Sequence, residues 1–174
     1  RIAERQLEAE EPDLLKDIVT LINFKKLSGK ENKHVFVEAS TYATDVKRMG
    51  WTILNSWHYG INYLMKKGEK ADADNLPSTP QDIVFGINEA KSTMRNTNES
   101  KIDDRPGKSL MLRYLIHLVG DVHQPLHNTS FVSKSHVRGD MGGNLFKVKS
   151  SYGDTLHEVY DNMFNMFDDI KGPI

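Results

Sequence analysis

The chain has 174 residues, a net charge of −1, 38% hydrophobic and 27% charged residues, and no cysteine. This length and composition suit one globular domain and argue against intrinsic disorder. The lack of cysteine excludes disulfides, thiolate nucleophiles and cysteine-based zinc fingers, and the near-neutral charge disfavours modules that grip duplex nucleic acid through a strongly basic face.

The predicted elements are mainly helical. Helices are expected over residues 2–9, from Pro12 onward and over residues 35–49. The aromatic-rich residues 51–64 are expected to begin with a helical segment. A loop follows over residues 66–77. Thr79 as N-cap and Pro80 as first helical residue predict a helix to about residue 97.

The second half of the chain continues in the same way. Pro106 is expected to begin a helix that Pro125 ends or bends. Residues 128–143 are predicted as loop, residues 144–149 as a short strand and residues 155–167 as a last helix. The predicted fold class is therefore all-α, a single mainly helical domain over residues 1–174 with at most one small β-hairpin.

Two segments pair a histidine with an aspartate four residues later. These pairs are His117 with Asp121 and His157 with Asp161. On a helix, such a pair shares one face and can hold one cation. Imidazole and carboxylate together suit zinc, which accepts nitrogen and oxygen ligands.

A single pair of this kind is commonly a surface hydrogen bond. His117 and Asp121, however, lie among the apolar residues Leu112, Leu115, Val119 and Val122. Burying these polar groups is costly unless they pair or bind a metal. The pattern therefore favours a metal site, with a buried salt bridge as the alternative.

Two other kinds of site find little support in the sequence. A nucleophilic triad would need a Gly-x-Ser-x-Gly turn on a parallel sheet, and the sequence contains no such turn. The stretch Gly107-Lys108-Ser109 lacks the earlier glycine and the preceding strand of a phosphate-binding P-loop. It is better interpreted as the start of a helix.

Residues 116–127, which read Ile-His-Leu-Val-Gly-Asp-Val-His-Gln-Pro-Leu-His, resemble the signature of the zinc-dependent, single-strand-preferring nucleases of fungi, plants and protists. Residues 43–48, 57–59, 139–144 and 156–161 match further segments in the order of that family. The resemblance covers residues 2–167. It implies a mainly helical fold of the zinc phospholipase C and nuclease type.

The resemblance also implies zinc sites. By matching positions, the first zinc is assigned to Asp45, His58, His117 and Asp121. The second zinc is assigned to His127, His157 and Asp161. The third zinc of the family uses an N-terminal tryptophan and a nearby histidine, which this chain does not show. We therefore expect that native N-terminal residues and the family's C-terminal helices are missing, and that the third site is incomplete.

Catalytic roles follow from the same resemblance. Asp45 is the candidate to orient or deprotonate the metal-activated water, Arg48 to stabilise the phosphate in the transition state, and Asn144 to hydrogen-bond the phosphate. Tyr59 and Tyr63 are candidates to stack a base, although a core position is favoured for Tyr59.

The implied function is zinc-dependent hydrolysis of single-stranded DNA or RNA and of 3′-nucleotides. The alternatives are a zinc phospholipase C-like lipid hydrolase and an inactive, truncated zinc-binding helical protein. We expect a monomer without stable membrane insertion, in a secreted, cell-surface or lysosome-like compartment. Glycosylation triplets begin at Asn98 and Asn128.

Overall fold

A computed structural model of the chain describes residues 2–10, 12–14, 35–67, 76–95 and 104–162. These residues are mainly helical, as the sequence predicts. The helices are α1 (Ile2–Glu10), α2 (Val35–Ala39), α3 (Tyr42–Arg48), a 3₁₀ helix (Asn55–His58), α4 (Ile83–Arg95), α5 (Arg105–His123), α6 (Pro125–Asn128) and α7 (Leu156–Asp161). The strands are β1 (Asn62–Met65), β2 (Thr129–Val132), β3 (Lys147–Ser150) and β4 (Gly153–Thr155).

The described residues fall into two compact units. The first unit draws on residues 1–58 and 81–121, and the second unit on residues 59–80 and 122–174. The expectation of one domain over residues 1–174 stays a prediction. Across the described ranges, no helix is both long and apolar enough to cross a membrane.

The helix predicted over residues 35–49 is interrupted, so that prediction is wrong in its middle. The chain turns at Ser40 and Thr41, which separates α2 from α3. The Ser40 hydroxyl donates to the Val37 carbonyl, and such local side-chain bonds compete with helix propagation.

The predicted start of α4 at Thr79 and Pro80 is also wrong. The helix begins at Ile83, because the Asp82 carboxylate accepts the Phe85 backbone N–H at 3.0 Å. Asp82 thereby satisfies one of the amides that a helix leaves unpaired at its N-terminus.

Other predicted boundaries are close to the observed ones. The first helix is confirmed, and α5 begins at Arg105, one residue before Pro106. It ends at His123, just before Pro125, which opens the short helix α6. Most of the helix predicted from Pro12, the end of α4 near residue 97, and residues 163–167 of the last helix lie outside the described residues.

The core of the first unit joins α2 to α5. Leu14, Ala39 and Leu112 are buried together, and Phe36 and Ile116 pack against them. A second layer of this unit centres on an aromatic group at the 3₁₀ helix. The Trp57 ring meets the rings of Phe85 and Tyr114 edge-on, with centroids 6.0 Å apart in both pairs.

The second unit contains two small sheets. Strands β1 and β2 pair in parallel, with Asn62 opposite Thr129 and Met65 opposite Val132. Neither strand is predicted from the sequence: the predicted helical start over residues 51–64 and the predicted loop over residues 128–143 are wrong at these strands. Four-residue strands carry too little periodicity to be recognised, and their partners lie far apart in the sequence.

The predicted hairpin is confirmed as β3 paired antiparallel with β4. Helix α7 follows directly, and Thr155 is its N-cap. The Thr155 hydroxyl accepts the Glu158 N–H at 3.2 Å, and the Glu158 carboxylate accepts the Thr155 N–H at 3.1 Å. This capping box fixes where α7 begins and hence where its side chains point.

Replacing Gly86 with alanine should destabilise the first unit. A Cβ at this position would lie 2.9 Å from atoms of the Trp57 ring, which must then move within a packed layer. Overpacking of this kind costs about 1–3 kcal/mol, against a gain of about 1 kcal/mol in helix propensity. We expect a net loss of up to about 2 kcal/mol in the free energy of unfolding, measured by urea denaturation.

Gly107→Ala is the matched control for that measurement. It places the same methyl group in α5, where no atom lies within 4 Å of the new Cβ. Its unfolding midpoint should stay unchanged or rise. Equal stabilisation by both substitutions would contradict the packing argument.

Candidate metal sites

Three potential metal-ligand atoms converge in the first unit. His58 Nδ1 lies 2.9 Å from Asp121 Oδ2, His117 Nε2 lies 3.0 Å from the same oxygen, and the two ring nitrogens are 3.0 Å apart. We call His58, His117 and Asp121 the first cluster; their ligand atoms could hold a metal ion. Tetrahedral ligands 2.0–2.2 Å from a zinc ion stand about 3.4 Å apart, so a small outward shift of these side chains would fit the ion.

Local structure explains how these side chains meet. His117 and Asp121 are one turn apart on α5, so they share a face of that helix. His58 closes the 3₁₀ helix, whose preceding residue Trp57 is anchored in the aromatic layer described above. The side chains of the cluster are only 10–13% exposed.

The Ser40 carbonyl accepts a hydrogen bond from His117 Nδ1. This bond assigns the ring hydrogen to Nδ1 and leaves the lone pair of Nε2 facing Asp121. Metal-binding histidines are held in this way by an acceptor behind the ring. The break between α2 and α3 therefore has a consequence for the site, because it places the Ser40 carbonyl behind His117.

The surroundings of His117 act on its pKa in opposite directions. Burial disfavours the charged imidazole, but the hydrogen bond and charge of Asp121, with help from the Ser40 carbonyl, raise the pKa of His117 above its ordinary value. The first cluster therefore attracts positive charge, whether a proton or a metal cation supplies it.

The second cluster lies in the second unit and consists of His127, His157 and Asp161. Asp161 Oδ1 lies 3.8 Å from His127 Nε2, and Oδ2 lies 3.4 Å from His157 Nε2. The two imidazole rings are stacked with centroids 5.0 Å apart. This cluster is looser and more open than the first, since the Asp161 side chain is 46% exposed.

Three further contacts arrange the second cluster. Helix α7 carries His157 and Asp161 one turn apart, and its capping box sets the start of that turn. His157 Nδ1 donates to the Gly142 carbonyl at 2.8 Å, which leaves Nε2 facing Asp161. Gln124 Nε2 donates to Asp161 Oδ1 at 2.8 Å and so orients the carboxylate.

No sequence pattern predicts the groups that orient these ligands, namely the Ser40 and Gly142 carbonyls and the Gln124 amide. Gln124 and Gly142 stand inside the recognised segments 116–127 and 139–144, but no role was given to them. Ser40 and Gly142 act through backbone carbonyls, which carry no side-chain signal in a sequence. Their roles depend on where the chain folds.

The remaining predicted site residues lie outside both clusters as the described residues group them. Asp45 Oδ2 accepts the Thr41 hydroxyl at 3.2 Å, and Asp45 Oδ1 lies 3.7 Å from Arg48 Nη1. The Arg48 side chain is 75% exposed. Asn144 is exposed and donates to the Met141 carbonyl at 2.9 Å. Their assigned roles stay predictions.

Tyr59 and Tyr63 are the tyrosines predicted as candidates to stack a base. Tyr59 is 37% exposed, so its expected core position is wrong. Tyr63 is partly buried and its hydroxyl donates to the Pro77 carbonyl at 2.8 Å. Of the two, Tyr59 offers the more accessible ring.

Zinc binding at the first cluster should weaken as the pH falls. Folding raises the pKa of His117, so in zinc-free protein the protonated imidazole contributes stability that is lost as the pH rises through that pKa. Zinc needs the neutral imidazole, and each pH unit below the raised pKa should cost about tenfold in affinity. Competition with a chromophoric chelator between about pH 8 and about pH 5 measures this.

That titration is best made in a His157→Ala background, so that the second cluster contributes little. His136→Ala in the same background is the control, because His136 lies in a turn with Ser133 and Ser135. An affinity that did not change with pH would show that His117 is not a ligand.

Comparison with known proteins adds independent support. A family model described as S1/P1 Nuclease matches residues 1–171. The chain is 27% identical to Endonuclease 3 of Arabidopsis thaliana over 152 residues, which cover 83% of this chain and 47% of that protein. It is 47% identical to Endonuclease 5 of the same plant over 53 residues, 30% of this chain and 16% of that protein.

Endonuclease 4 of Arabidopsis thaliana shows 45% identity over 53 residues, 30% of this chain and 15% of that protein. The chain thus spans about half the length of Endonuclease 3. No solved structure was found to match it. Because the family model covers nearly the whole chain and the histidine–aspartate clusters fall within the match, the chain belongs to the S1/P1 nuclease family.

Proposed function

We propose that this protein uses zinc to hydrolyse phosphoester bonds in single-stranded DNA or RNA and in 3′-nucleotides. The observation that carries the proposal is the pair of histidine–aspartate clusters, found in a chain of a nuclease family. In each cluster a backbone carbonyl accepts a hydrogen bond from Nδ1 of one histidine, His117 or His157, and Nε2 of the same ring is then available to a cation.

The donor set favours zinc over harder cations. Imidazole nitrogen suits zinc and related transition metals, whereas magnesium and calcium prefer all-oxygen ligands. Each cluster offers two imidazoles and one carboxylate. Bound zinc would supply Lewis acidity toward a phosphoryl oxygen and would lower the pKa of water toward neutrality.

Asp45 and Arg48, both on α3 in the first unit, are proposed to take part in the phosphoryl chemistry. The Thr41 hydroxyl donates to one oxygen of Asp45, and we propose that this carboxylate accepts a proton from the attacking water. The Arg48 guanidinium is largely exposed, and a planar guanidinium matches the oxygens of a phosphate. Asn144 is proposed to hydrogen-bond the phosphate through its exposed amide.

The compartment is a further proposal. We place the protein in a secreted, cell-surface or lysosome-like compartment, as a monomer that carries a glycan. The Asn128 amide is an unfavourable attachment point, because it donates to the Val122 carbonyl at 2.7 Å and to the Gln124 carbonyl at 3.2 Å. Asn98 lies outside the described residues and is the triplet we favour.

His117→Ala should reduce hydrolysis of a single-stranded oligonucleotide by at least about 100-fold, since loss of a metal ligand removes the activated water. His136→Ala should change it little. Dialysis against a chelator should abolish the activity of the unmodified chain, and added zinc should restore it. Activity that survives chelation would exclude a zinc mechanism.

The substrate class can be tested in one comparison. Single-stranded DNA, a duplex of the same sequence, a 3′-nucleotide and phosphatidylcholine are assayed side by side at equal phosphate concentration. We expect turnover of the single strand and of the 3′-nucleotide, at least about tenfold faster than the duplex, because a flexible strand can enter a metal site that a stiff duplex cannot. Turnover of the lipid alone would indicate a phospholipase C-like enzyme, and no turnover at all would indicate an inactive zinc-binding protein.

A further inference from the structure

A buried carboxylate in the second unit has no part in the sites described above. Asp140 is 5% exposed, and Ser130, on β2, is 2% exposed. The Ser130 hydroxyl donates to Asp140 Oδ1 at 3.0 Å, and the Phe131 backbone N–H donates to the same oxygen at 2.9 Å. Burying a carboxylate is costly, so these bonds stabilise one definite arrangement.

The arrangement ties a strained loop to β2. Four of the five residues 139–143 have positive φ, and one of them is Met141, at 56°. A non-glycine residue in this region is strained, and such strain persists only where surrounding contacts hold the backbone. Asp140 lies in the middle of the loop and supplies such contacts.

Gly142 connects the loop to the second cluster. A Cβ at Gly142 would collide with the Leu126 carbonyl, so glycine is required there. The Gly142 N–H donates to Ser130 Oγ at 3.4 Å, and the Gly142 carbonyl accepts from His157 Nδ1 at 2.8 Å. A continuous series of hydrogen bonds therefore runs from Asp140 through Ser130 and Gly142 to His157.

We propose that Asp140 and Ser130 are positioning residues for His157. By holding the Gly142 carbonyl against His157 Nδ1, they keep the ring hydrogen on Nδ1 and the Nε2 lone pair facing Asp161, 3.4 Å away. This inference extends the proposed zinc function, and the change in zinc affinity predicted for the variants rests on that function. The tautomer itself is a property of the metal-free chain.

The position of the ring hydrogen of His157 can be measured directly and tests the positioning role. Long-range ¹H–¹⁵N NMR spectra of metal-free protein, recorded at a pH where His157 is neutral, distinguish a hydrogen on Nδ1 from one on Nε2. The unmodified chain should show the Nδ1–H form. Asp140→Ala and Ser130→Ala should each shift His157 toward a mixture of both forms, because the Gly142 carbonyl is no longer held in place.

Zinc affinity is the second readout, measured by chelator competition in a His117→Ala background so that the second cluster dominates. Loss of the support behind a ligand typically lowers metal affinity about 10–100-fold, and we expect this in both variants. Asp140→Asn should retain most of the affinity, since its amide oxygen can still accept from Ser130 and Phe131. The control is Asp154→Ala, which removes an exposed carboxylate from β4 in the same unit.

Each outcome decides the proposal. If Asp140→Ala does not fold, Ser130→Ala gives the answer, because it removes only one hydroxyl. Folded variants that keep the Nδ1–H form and the original zinc affinity would overturn the inference, as would an Asp154→Ala variant with the same loss. A shifted tautomer in variants of a chain that hydrolyses no phosphoester would uphold the positioning role and refute the proposed function alone.

Discussion

The first cluster depends on an electrostatic constraint. Two imidazole nitrogens and a carboxylate oxygen stand 2.9–3.0 Å from one another in a largely buried place. Lone pairs at that distance repel unless a proton or a metal cation lies among them. The raised pKa of His117 expresses the same demand for positive charge. The arrangement therefore favours a bound proton or metal cation, and a metal held here would link its binding to folding.

Several features of the fold serve this constraint. The turn at Ser40 breaks what would otherwise be one helix, and the carbonyl it places there orients His117. The aromatic layer around Trp57 fixes the 3₁₀ helix that ends in His58. In the second unit, the capping box of α7 and the Gly142 carbonyl do the same for the second cluster. Irregular backbone at each site thus has a specific use.

The two clusters differ in how tightly they are built. The ligand atoms of the first are nearly equidistant and shielded from solvent, whereas Asp161 of the second is about half exposed and 3.4–3.8 Å from its histidines. A buried, close-set cluster binds a cation strongly because water screens it less. An open one exchanges ligands more readily and leaves room for a substrate oxygen. The first cluster is therefore shielded from solvent, and the second is accessible to it.

The sequence by itself determined the helical class and the pairs His117–Asp121 and His157–Asp161, which are written locally in apolar periodicity and in His-x-x-x-Asp spacing along one helix face. The resemblance to the nuclease family added His58 and His127 to these pairs. The tertiary structure alone decided that His58 meets His117 and Asp121, that β1 pairs with β2, and that the carbonyls of Ser40 and Gly142 stand behind the histidines. Those contacts join residues 15–77 positions apart. All but the contacts of His58 with His117 and Asp121 also involve backbone groups that every residue carries, so no residue type announces them.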